Sequence, residues 1–209
     1  MKNVCLLFLV MLLTGCAFGN THDYRGVLLD LKNPQDKTVA LAVHDRRSEI
    51  LSGETENNVT GWSRGGYGNP FAVRTSSEGP FANDVLIAMT NSLEQKRNKV
   101  VPVYTDSKET SEMVVKNISQ NKFDVAILLT FNEWFSDTYV DTDIDYNVNL
   151  KIFNKDSQVI AEAKEIKRYE IGGSFMNPPQ FAKEHVPFEF KKIMEQLFEE
   201  KSVAQSLAQ

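Results

Sequence analysis

From Val140 to Ile152 the residue types alternate. Val140, Ile144, Tyr146, Val148, Leu150 and Ile152 fall on one side, and Asp141, Asp143, Asp145, Asn147, Asn149 and Lys151 on the other. Successive side chains of a strand point to opposite faces, whereas a helix would scatter this set around its axis. The segment therefore reads as one long strand with a dry face and a wet face. Asn154-Lys155-Asp156-Ser157 supplies turn chemistry directly after it. Residues 158–170 continue as the hairpin partner, ended by Ile171-Gly172-Gly173. A dry sheet face must be covered by another layer, and the rest of the chain has to provide it.

Helical candidates are available for that layer. Between Pro80 and Asn98, Ala82, Val85, Leu86, Met89 and Leu93 form one apolar stripe, with Pro80 suited to a first turn. Residues 106–120 carry a weaker stripe through Met113, Val114 and Ile118. Residues 178–203 place Val186, Phe190, Ile193 and Leu197 on one side, and Pro187 must kink this helix or mark its start. Thr38–His44 is a compact apolar run that predicts a central strand buried on both faces. Tyr24–Leu31, Lys99–Val103 and Phe123–Phe135 predict further strands. In residues 52–80 Gly, Ser, Asn and Thr accumulate, which predicts a long loop. The expected fold is α/β (α+β): one domain over residues 24–209, with a mixed sheet, helices packed on it, and a late β-hairpin followed by a helix.

The start of the chain has a different character. Lys2 precedes ten consecutive apolar residues, Val4–Leu13. As a helix these reach about 15 Å, half the hydrocarbon thickness of a bilayer, so they read as an export signal and not a span. Leu13-Thr14-Gly15-Cys16 resembles the lipobox of bacterial lipoproteins. That resemblance implies removal of residues 1–15, thioether attachment of diacylglycerol to Cys16, and acylation of the new amine with palmitate-type chains. Two or more acyl chains anchor a protein firmly where one does not. Ala17, in place of Asp, implies the outer membrane by the same resemblance. Residues 16–23 are expected to form a short lipidated tether, the seven after Cys16 reaching at most about 25 Å. Cys5 would leave with the signal and Cys16 would carry lipid, so no thiol remains for a disulfide or a metal.

Several constellations carry candidate chemistry. Gly61-Trp62-Ser63-Arg64-Gly65 matches G-x-S-x-G, but an esterase serine needs a sharp strand-to-helix turn, and the flanking residues predict neither element. In the same stretch four glycines alternate with Trp62, Arg64, Tyr67 and Phe71. Two readings stand open there: a loop that grips a partner or ligand, or a loop whose aromatics cap its own core. His44-Asp45-Arg46 ends the buried strand, where α/β sheets often gather their sites; the alternative is that Asp45 pairs with an arginine. Asp141, Asp143 and Asp145 stand about 7 Å apart along a strand, too spread to surround one ion, and read as a solvated face that deters edge pairing. The three histidines lie far apart in sequence without zinc spacing, so neither metal nor cofactor is expected. A net charge of −5 argues against nucleic acid as a partner.

The lipobox, the run Val39-Ala40-Leu41-Ala42-Val43-His44-Asp45-Arg46, the helix Ala82–Leu93 and the strand after it together resemble small proteobacterial lipoproteins of the YajG type. The Gly-aromatic stretch departs from that shorter pattern. The resemblance implies no enzyme. The expectation is a non-catalytic outer-membrane lipoprotein whose domain faces the periplasm and binds envelope proteins, with attachment to the membrane through its lipid. Two alternatives are a small-molecule or glycan binder using the end of the Thr38–His44 strand, and a hydrolase using Ser63. The oligomeric state is left open.

Overall fold

The computed structural model describes residues 20–208. The expected signal, Cys16 and the first tether residues lie outside the described residues. Eight strands and five helices follow in the order β1 (Thr21–His22), β2 (Thr38–Asp45), α1 (Ser48–Leu51), β3 (Val59–Arg64), β4 (Pro70–Thr75), α2 (Phe81–Glu94), β5 (Lys99–Val103), α3 (Ser111–Ser119), β6 (Val125–Thr138), β7 (Asp141–Asn154), β8 (Val159–Gly173), α4 (Pro178–Glu199) and α5 (Lys201–Ala208). The expected single domain with a mixed sheet and a late hairpin before the terminal helices is what is observed.

The sheet is organised around β6. Along one edge β6 pairs antiparallel with β7 over its whole length, and β7 pairs with β8. Its other edge is shared. The first half, from Val125 to Phe131, pairs parallel with β2, and residues 136–138 pair parallel with β3. The sheet therefore forks: β2 leads to β5 on one branch, and β3 leads to β4 and β1 on the other. A β-bulge at Asn132 accompanies the fork. Before it the odd-numbered residues Ile127, Leu129 and Phe131 face the main core; after it the even-numbered Trp134, Ser136 and Thr138 do.

Three helices, α2, α4 and α5, cover one face and enclose the main core with Leu41, Phe131, Trp134, Val148 and Phe190. Among the described residues only the nine-residue α3 packs on the other face, where Val114 and Ile118 meet Ala40, Ala42, Ala126 and Leu128. The alternating dry side of β7 (Ile144 to Ile152) lies in the main core as expected.

Three expectations are corrected. Tyr24–Leu31 is not a strand. Its buried Tyr24, Leu29 and Leu31 lie over the core as irregular chain whose amides bond side chains, Leu29 N to Ser92 Oγ at 2.9 Å and Asp30 N to Glu195 Oε1 at 2.7 Å. The expected tether is shorter, since Thr21–His22 pairs with β4 and His22 is buried. The expected loop 52–80 contains the β3–β4 hairpin. Its glycines diluted the strand signal, and they are there because of packing: a Cβ on Gly61 would strike the Ser136 carbonyl and hydroxyl oxygens, and Gly68 turns the hairpin at φ +79°. Of the two readings of Pro187, the helix start is excluded: it sits inside α4 and leaves the Lys183 carbonyl without its i+4 donor.

The fork is closed by Arg47, which is fully buried. Its Nε and Nη2 donate to the two carboxylate oxygens of Asp45 at 2.9 and 2.7 Å. Nη1 donates to the carbonyls of Val59 at 2.7 Å and Trp134 at 3.4 Å, Nη2 also to that of Asn57 at 3.3 Å, and the guanidinium lies 5.1 Å from the Phe81 ring centre. Replacing the cation alone strands a buried carboxylate. Arg47→Met is expected to lower unfolding free energy by about 3–5 kcal/mol in urea titrations, and the double variant Asp45→Leu/Arg47→Met to recover a substantial part of that loss.

Candidate functional site

The strand-end candidates are taken up by the frame. Asp45 is held by Arg47, so the arginine pairing weighed from the sequence is the one present, with the partner two residues on. Arg46 Nη1 donates to the carbonyls of Ser107 and Glu109 at 3.0 and 3.1 Å, tying β2 to the β5–α3 connection. His44 is fully buried, and its ring nitrogens have no hydrogen-bond partner among the described residues. Burial, and after it the nearby Arg46, pushes its pKa down. Next to Asp45 lies a cavity of about 150 Å³.

Ser63 stands in β3, where Phe71 and Thr138 are its cross-strand partners. It lies one residue from the end of a strand that turns into the hairpin partner β4, not at the strand-to-helix turn the esterase reading requires. It lines a cavity of about 220 Å³ with His22 and Thr138. His22 Nδ1 lies 3.2 Å from Tyr24 Oη, and burial pushes its pKa down to about 3, so it is neutral.

The four residues of the Gly-aromatic stretch are separated by the hairpin. Tyr67 projects from the tip into solvent and Phe71 is half-exposed on β4. Trp62 and Arg64 point to the face opposite the main core, where register builds a site from four strands. Trp62 pairs across with Asp137, and Asp137 with Asp143. In the next row Phe135 pairs with Asp145, and Asp145 with Arg168. These residues line a basin of about 250 Å³. The Trp62 and Phe135 rings meet edge to face, 6.2 Å apart at 67°. Arg64 grips Asp137 with two bonds of 2.8 and 2.5 Å, and Arg168 lies 3.7 Å from Asp143. On the same face a groove of about 650 Å³ runs between α3 and the sheet, with Val115, Leu128 and Phe153 as apolar walls and Lys116 and Lys151 beside them.

The wet side of β7 is thus open, as the sequence predicts, but it guards no edge, because β7 is flanked by β6 and β8. Sequence reasoning found Trp62, Arg64 and the aspartates separately. It missed Glu133, Phe135, Asp137 and Arg168, which join them. The bulge at Asn132 puts these β6 residues on the open face, and no periodicity shows a bulge.

Glu133 lies beside the basin. Burial raises its pKa to about 7, with Glu49 and Asp145 adding to the rise and Arg47 opposing it. A carboxyl raised above its ordinary range holds its proton more tightly folded than unfolded. Its contribution is present at acid pH and is lost as pH rises from about 4.5 through 7. Glu133→Gln is therefore expected to match the wild type near pH 5 and exceed it by about 1 kcal/mol at pH 8 in paired denaturation curves.

No protein-family model matches the chain, and no curated protein matches it. Solved structures do. Protein XCC0632 from Xanthomonas campestris, described as family-model DUF330, is similar at 11% identity and TM-score 0.46, over 89% of this chain and 93% of that one. A PelC dodecamer from Paraburkholderia phytofirmans is similar at 10% identity and TM-score 0.40, over 79% and 93%. Lipoprotein GNA1162 from Neisseria meningitidis is similar at 9% identity and TM-score 0.28, over 76% and 99%.

Proposed function

We propose that this chain is a non-catalytic binding module of a bacterial envelope, anchored in the outer membrane through lipid on Cys16 and facing the periplasm, and that it docks an envelope protein on the open face of its sheet. The observation that carries this reading is the asymmetry of the two faces. Three helices seal one, while the other leaves β3 and the meander β6–β8 bare and sets Trp62 and Phe135 among charged groups there. Aromatic rings at a partly exposed, rigid position are the usual anchors of protein contacts. The fully exposed Tyr67 lies at the tip of the adjoining hairpin, within reach of the same partner. Lys2, the apolar run and Leu13-Thr14-Gly15-Cys16 support the anchor.

Two measurements test this. Cys16→Ser is expected to move the protein from the membrane fraction to the soluble one; unchanged sedimentation would remove the anchor. Photo-crosslinkers at residues 67 and 135 in cells are expected to give one discrete adduct that Trp62→Ala abolishes at unchanged protein level. Adducts that survive that substitution would separate the face from the docking role.

A further inference from the structure

The basin at Trp62 has a more definite chemistry than an open sheet face. Its walls are two aromatic rings and three carboxylates, of which Arg64 and Arg168 occupy Asp137 and Asp143. Arg168 stands across the ladder from Asp145 but turns to Asp143, and neither Asp145 nor the neighbouring Glu133 has a cation within 4 Å among the described residues. Elsewhere this fold lays its own cations over its rings, Arg47 over Phe81 at 5.1 Å and Lys167 over Tyr169 at 4.7 Å. Among the described residues no lysine or arginine lies over Trp62 or Phe135. The Trp62 indole N–H makes no hydrogen bond within the described residues either, whereas that of Trp134 bonds Tyr24 Oη at 2.9 Å. An aromatic wall joined to an unpaired carboxylate is the arrangement that selects organic cations. A volume of about 250 Å³ accommodates one long side chain.

We propose that the basin receives a single lysine or arginine side chain from the partner protein, its cationic head against the Trp62 ring and paired with Asp145. This rests on the reading of the open face as a docking surface. Charge complementarity supports a basic occupant: the chain carries a net charge of −5, and the unpaired groups at the basin are acidic. The groups facing Glu133 are Glu49 from α1, Asp145 from β7 and Arg47 from the β2–β3 connection. With its pKa at about 7, Glu133 gains charge as pH rises from 6 to 8, so occupancy by a cation strengthens over that interval.

The test uses the full-length chain in detergent micelles with 15N-tryptophan, which gives one indole signal for each of its two tryptophans. The probe is the tripeptide acetyl-Gly-Arg-Gly-amide, with the neutral citrulline analogue as control. The expected result is a saturable shift of the Trp62 signal with a dissociation constant on the order of 1 mM, while the Trp134 signal stays fixed and reports an intact core. Asp145→Asn is expected to weaken binding about five-fold; followed on the peptide's own proton signals, because these variants lack the Trp62 reporter, Trp62→Phe is expected to retain most of the binding and Trp62→Ala to abolish it. Binding is expected to be tighter at pH 8 than at pH 6 in the wild type and equal at the two in Glu133→Gln. An equal shift with the citrulline peptide, or unchanged affinity in Asp145→Asn, overturns the proposal. Agmatine binding about ten-fold more tightly than the peptide overturns it in favour of a free amine. The crosslinks at residues 67 and 135 ask whether this face meets any partner, so the two readings fail separately.

Discussion

One buried guanidinium lets this sheet have two branches. Where β2 leaves the edge of β6 and β3 arrives, the ladder is interrupted, and buried carbonyls there would lack donors. Arg47 reaches the carbonyls of Asn57, Val59 and Trp134, and Asp45 neutralises it. Unpaired backbone groups are expensive inside a protein, and the planar, multi-donor head of arginine suits several acceptors at once. A buried pair of this kind need not add net stability over an apolar replacement. What it contributes here is connectivity: it allows the two branches to share one edge of a strand.

The bulge at Asn132 is the covalent counterpart of that fork. By inverting the facing of β6 it sends Trp134 into the aromatic core with Tyr24, Phe81 and Phe190. The same inversion sends Glu133, Phe135 and Asp137 to the open face. The core and the candidate site therefore have one local cause. Had β6 run without the bulge, the side chains after it would have exchanged faces, as a one-residue slip requires. Trp62 would then have met small hydroxyl residues instead of an aromatic ring and carboxylates.

Elements with a strong period of their own were legible in the sequence: β2 as an unbroken apolar run, β7 by strict alternation, α2 by its stripe, and β5 to the residue. The β3–β4 hairpin was not. Val59-Thr60-Gly61-Trp62-Ser63-Arg64 alternates, but its inward positions are small or polar because Ser136 and Thr138 press against them. That constraint is tertiary and cannot be read locally. Tyr24–Leu31 erred in the opposite direction, since apolar residues needed for burial imitate a strand even when their amides are satisfied by side chains. For the site, half the residues were visible as types, but their meeting depended on the bulge and on register.

The chain resolves its charges unevenly between the two faces. Beneath the helices, titratable groups are neutral or locked: burial holds His22 uncharged, pushes the Tyr24 hydroxyl up to about 12, and Asp45 and Arg47 cancel each other. On the open face carboxylates outnumber the cations that reach them, and Glu133 is left with its charge only partly supported. The two sides communicate through Arg47, whose field is the opposing influence on Glu133. The cation that closes the fork from within thus also lowers the pKa of an acid on the outer face, against the rise that burial, Glu49 and Asp145 give it.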